Sequence, residues 1–80
     1  MIKIFVPLTE IENVSRQELD QRRLDTLQHG FSPFDQLLKS ESDPITLDKR
    51  SGKPYRITDG RHRIFLARQK GYQNVLVNFV

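Results

Sequence analysis

The chain contains no cysteine, and that one absence removes disulfides, thiolate metal sites and cysteine nucleophiles together. It leaves the compartment open, with the cytoplasm as the default. No apolar run approaches the length of about 20 residues needed to span a bilayer. No signal-peptide pattern is present either, so a soluble protein without a membrane partner is expected. Internal repeats and low-complexity segments are also lacking. Acidic residues are scarce in one portion only. Lys49 to Val80 holds eight Lys and Arg against a single acid, Asp59, a balance of +7. Met1 to Asp48 holds five against nine, a balance of −4, which leaves the whole chain at +3. So uneven a distribution favours phosphorylated or nucleic-acid partners for the C-terminal portion. Lys49, Arg50 and Lys53 are read more simply, as solubilising a hairpin.

What is there suffices for one small domain over residues 1–80. Hydrophobic residues make up 36%, with five Phe and two Tyr, enough for a modest core near the lower size limit for independent folding. Ile2-Lys3-Ile4-Phe5-Val6 reads as a strand that Pro7 ends, with Leu8 and Ile11 anchoring the next turn. Ser15-Arg16-Gln17-Glu18 is a capping box and predicts a helix running to about Gln28, with Leu19, Leu24 and Leu27 on one side and Gly30 as the stop. Ser32-Pro33-Phe34-Asp35 repeats the start signal for a short helix to about Lys39. Lys39 to Asp43 is polar and read as a loop. Pro44 to Asp48 and Lys53 to Thr58 form a hairpin turned by Ser51-Gly52. A second long helix ends at Gly71, and Asn74 to Val80 is the last strand. The order predicts an α+β fold: a mixed sheet of about four strands with two longer helices and one short one. Ile64 and Ala67, with Leu19, Leu27, Ile57, Val75 and Val77, are the expected core.

The stretch of chemical interest is Ile57-Thr58-Asp59-Gly60-Arg61-His62-Arg63-Ile64-Phe65-Leu66-Ala67. It reads as a strand end, a turn with Asp59 as N-cap, and a helix whose first turn carries three potentially cationic side chains. Cations at a helix N-terminus are locally unfavourable, because the free N–H groups there already carry partial positive charge. An anion held among them resolves the conflict, and guanidinium groups beside a helix start make a phosphate site. The alternative is that Arg61 and Arg63 are solvated with no ligand. Ile64 to Ala67, a full turn without a polar side chain, implies burial all round, with Arg68-Gln69-Lys70 reaching solvent.

Gly60-Arg61-His62-Arg63, between a strand and Ile64-Phe65-Leu66-Ala67, resembles the ParB/sulfiredoxin-like superfamily. Val6-Pro7-Leu8-Thr9-Glu10-Ile11 is similar to the family's entry segment and Asn74 to Val80 to its closing strand, whereas Gln28 to Asp43 fits poorly. Sulfiredoxin chemistry is excluded, since it needs a cysteine where Arg61 stands. What the resemblance implies is the same fold and a nucleotide of unspecified base, with or without Mg2+, whose phosphates lie on Gly60, Arg61, His62 and Arg63 with Thr58 beside them. Arg61 replaces the family's glutamate and Phe65 its second arginine, which weakens hydrolysis and leaves phosphate binding intact. Glu10 and Glu12 stand where related serine kinases place a catalytic carboxylate; two solvated glutamates is the other reading. Whether the domain is an enzyme, with weak nucleotide hydrolysis or phosphotransfer, therefore stays open. His29 is read as a helix-end residue, and no fixed metal site is expected. Two alternatives complete the set: DNA or other nucleic-acid binding through the basic portion, with the nuclease-like cleavage that the resemblance implies for some members but no carboxylate cluster here supports, and a non-catalytic interaction module.

Overall fold

The computed structural model describes residues 3–30 and 33–80, and within them an α+β fold of three helices on a four-stranded mixed sheet. The strands are β1 (Lys3–Pro7), β2 (Ile45–Asp48), β3 (Arg56–Asp59) and β4 (Asn74–Phe79). Helices α1 (Gln21–His29) and α3 (Arg61–Gln69) are the longer pair, and α2 (Phe34–Leu38) is short. Spatially the strands run β1-β4-β2-β3. β4 pairs antiparallel with β1 (Phe5 opposite Leu76) and parallel with β2 (Ile45 beside Val77). β2 and β3 pair antiparallel as predicted, with an irregularity in register between Thr46 and Leu47, but a 3-10 turn at Lys49–Ser51 joins them and β3 begins at Arg56 rather than Lys53. Beyond the far side of β3, Ile11 bridges Tyr55, so the entry segment runs along that edge. Among the described residues no helix is long and apolar enough to cross a membrane.

The alternation of the strands sets the core. Val6, Ile45, Leu47, Ile57, Val75 and Val77 point to one face, where Ile64 and Ala67 of α3 and Leu38 of α2 cover them. Of the expected core, Ile57, Ile64, Ala67, Val75 and Val77 are buried as predicted. Leu19 and Leu27 are only half-buried, because α1 lies against α3 rather than against the sheet. Leu24 and Leu66 are instead buried, outside the main cluster. The apolar turn is sealed at Ile64, Leu66 and Ala67, with Phe65 half-buried.

Several boundaries differ from the sequence reading. The capping box at Ser15 exists in full, but it closes a single 3-10 turn, Arg16–Glu18. The chain then becomes extended at Leu19, and α1 begins only after Asp20, whose Oδ1 accepts the Arg22 amide at 3.0 Å. Pro33 is the N-cap of α2 rather than its first residue. The expectations for Ile2 and Ser32 fall outside the described residues.

Candidate functional site

α3 starts without the cap expected from Asp59. That residue ends β3, and the N-cap is Gly60, in a left-handed conformation (φ +109°) with no side chain capping the helix. A glycine is required here twice over. The backbone torsion is one that L side chains rarely adopt, and an added Cβ would lie 2.9 Å from Cγ1 of the buried Ile45. Gly60→Ala is therefore expected to destabilise the fold by about 1–3 kcal/mol, combining backbone strain with local overpacking. Urea denaturation checks this, and an unchanged midpoint would show that the turn relaxes freely.

The uncapped helix start opens on a cavity of about 280 Å³. Thr58, Asp59, Gly60, Arg61, His62 and Arg63 line it from the β3–α3 junction, Arg23 and Leu27 from α1, and Leu37, Ser40 and Asp43 from α2 and the following loop. All five residues expected at a phosphate site thus face one space. The first-turn amides of α3 have no intrahelical acceptor, which leaves donors and the positive end of the helix dipole at this wall.

The side chains of the Gly-Arg-His-Arg stretch, however, are committed within the protein. Arg63 is buried at 6% exposure. Its Nη1 donates to the carbonyls of Asp43 (2.6 Å) and Leu37 (3.1 Å), with the Asp43 carboxylate 3.7 Å from Nη2. Arg63 was expected to pair with phosphate; it instead holds the 37–43 segment against α3. Arg61 Nη2 meets the Glu12 carboxylate (3.4 Å) and donates to the Ile57 carbonyl (3.4 Å). His62 Nε2 accepts the backbone amide of Asp20 at 3.0 Å, which fixes the ring as the neutral tautomer protonated at Nδ1. Burial, then the nearby Arg23 charge, lowers its pKa, opposed by Asp20. Thr58 Oγ1 donates to the Thr46 carbonyl.

Two groups that sequence reading missed complete the wall. Arg23 makes no hydrogen bond or ion pair among the described residues and reaches the cavity from α1. Asp43, from the segment that fits the family least, lies with Asp59 on the acidic side of the cavity. Burial, and then the Asp43 carboxyl with which it can share a proton, raise the Asp59 pKa, while Arg63 and Arg23 act the other way. Nothing local in the sequence marks either residue: Arg23 is placed by how α1 lies on α3, and Asp43 by the Arg63 contacts.

Glu10 and Glu12 do not line the cavity. Glu10 pairs with Lys53 at 2.8 Å, and Glu12 Oε2 accepts the Ile57 amide at 2.6 Å besides meeting Arg61. Both carboxylates are partly exposed, and each has a partner in the segment that leads into or forms β3. No group of three or more metal-ligating side chains occurs among the described residues. No protein-family model, curated protein or solved structure matches the chain.

Proposed function

We propose that this cavity binds a phosphate-bearing small molecule of mononucleotide size. The observation that carries the reading is the uncapped start of α3 opening into a cavity that also holds an arginine with no internal partner, Arg23. The amides of Arg61, His62 and Arg63 with the Arg23 guanidinium supply the donors for one phosphate. Leu27 and Leu37 offer apolar contact to a ring, and the Asp43–Asp59 pair offers acceptors for sugar hydroxyls. A volume of about 280 Å³ falls just below the usual range of small-molecule pockets, about 300–1,000 Å³, and two carboxyl groups oppose a long polyphosphate. A mononucleotide is therefore favoured over a triphosphate. The resemblance to ParB-type domains points to the same ligand class. Nucleic-acid binding finds less support, because Lys53, Arg61, Arg63 and Arg68, half of the eight cations in Lys49 to Val80, hold internal partners.

The test is an NMR titration with inorganic phosphate and nucleoside mono-, di- and triphosphates. Saturable shifts at the amides of 58–64 are expected, strongest for the monophosphate. Arg23→Ala should weaken binding about tenfold to a hundredfold, the loss of one charge-assisted hydrogen bond of roughly 1.5–3 kcal/mol, with little change in stability. Arg63→Ala should do the reverse, lowering stability by about 1–3 kcal/mol by leaving two carbonyls without their donor. The absence of shifts at 61–63 with every phosphate compound would overturn the reading.

A further inference from the structure

The contact between His62 and Asp20 joins the two walls of the cavity. Asp20 caps α1, the helix that carries Arg23 and Leu27, and His62 belongs to the first turn of α3. Between these helix starts the imidazole accepts from a backbone amide 42 positions away in sequence. An imidazole accepts a hydrogen bond at Nε2 only while that nitrogen is unprotonated. Protonation would set two donors against each other at this point, and the Asp20 amide would lose its partner. Such an arrangement is a latch with one titratable part.

We infer that neutral His62 latches the start of α1 onto α3, and that protonating it releases the α1 wall of the cavity. The charged groups around the ring are Arg23 and Asp20 on the α1 side and Arg61 and Arg63 on its own helix, with Asp59 and Asp43 across the cavity. Burial and then Arg23 disfavour the imidazolium, and Asp20 favours it. The lowered pKa has a definite linkage sign. The unfolded chain binds the proton more tightly than the folded one. The stability contributed by the neutral ring is complete above the ordinary imidazole value of about 6.5 and is lost as pH falls through the lower folded value. The latch stands without any ligand; only its consequence, weaker phosphate binding at low pH through displacement of Arg23, rests on the function proposed above.

Hydrogen exchange and chemical shift of the Asp20 amide, followed with the His62 ring protons through the imidazole titration, test it on the ligand-free protein. Protection of the Asp20 amide is expected to fall about three- to tenfold in step with the ring, the size of one lost hydrogen bond. His62→Gln, whose side-chain oxygen can accept in place of Nε2, should hold the amide protected and abolish the pH response. A ring that titrates while the Asp20 amide stays unmoved overturns the latch. So does an equal pH response in the Gln variant, which would assign the change to the carboxylates. Should that variant fail to fold, the wild-type profile decides alone. Ligand titration at two pH values is a separate readout, so a protein that fails to bind phosphate does not affect the result for the latch.

Discussion

Ile64→Ala is expected to destabilise the protein by about 2–5 kcal/mol, a large share of the roughly 5–15 kcal/mol typical of a whole domain. Ile64 has no exposed surface and lies in the cluster with Ile45, Leu47, Ile57 and Val77. Its removal takes away three methyl or methylene groups and leaves a void. The strands below and α3 above hold that void open, because the backbone on both sides is hydrogen-bonded and moves little. Chemical denaturation is the measurement. A loss below about half a kcal/mol, the range of neutral surface substitutions, would remove Ile64 from the centre of the core. Ile64→Val, which deletes a single methyl, should cost about 0.5–1.5 kcal/mol, and the ratio of the two losses reports how far the cavity collapses.

Arg68→Ala is expected to cost on the order of 3 kcal/mol, through lost hydrogen bonds rather than lost packing. The sequence suggests that this residue reaches solvent; the structure turns it inward. Its guanidinium donates to the carbonyls of Ile11 (2.6 Å), Leu8 (2.9 Å) and Glu12 (2.9 Å). Three carbonyls of one irregular segment are thus satisfied by one planar fork. Burial lowers the Arg68 pKa, with Glu12 opposing, yet a guanidinium stays charged across the accessible range. Arg68→Lys should recover only part of the loss, since an ammonium is a compact point charge and cannot reproduce the fork. Thermal unfolding of both variants checks this. If lysine restores full stability, the fork geometry is irrelevant.

Arg68 also shows why the fold is more legible in this sequence than the site. Strand alternation, helix stops and the apolar turn at Ile64 to Ala67 are local patterns, and the sheet and three helices follow from them. Burial of a long charged side chain is not local: it depends on which carbonyls the fold leaves unpaired nearby. The same holds for charge. The surplus of cations in Lys49 to Val80 suggests an outward-facing basic surface, but Lys53, Arg61, Arg63 and Arg68 reach back to Glu10, Glu12, Asp43 and the carbonyls of the acidic portion. Much of the asymmetry is an adhesive between two parts of one chain.

The Ser15 capping box is a second instructive case. All its hydrogen bonds form, but Leu19 is extended (φ −108°, ψ 150°), so the turn it opens does not propagate. A start signal specifies the first turn and says nothing about the fourth residue after it. At Gly60 the pattern runs the other way. Asp-Gly suggests a side-chain cap by Asp59, whereas close approach to Ile45 makes the glycine itself the cap and leaves the helix start open. The open helix start follows from that missing cap, and only the packing of β2 beneath it reveals the reason.

The position of β4 bears on how the protein is made. Of the four strands β4 comes latest in the sequence, yet it lies between β1 and the hairpin, bonded to both. Until it emerges, β1 has no partner, and β2 and β3 form only an isolated hairpin, which is marginal in water. Vectorial synthesis therefore cannot assemble this sheet from one end. Until β4 is made, the apolar residues of the other strands, Val6, Ile45 and Leu47 among them, stay exposed. Such exposure is a known route to aggregation. Tethered to a stalled ribosome before Asn74 clears the exit tunnel, the chain should remain protease-sensitive throughout. Emergence of β4 should then convert these residues to the folded state in a single step.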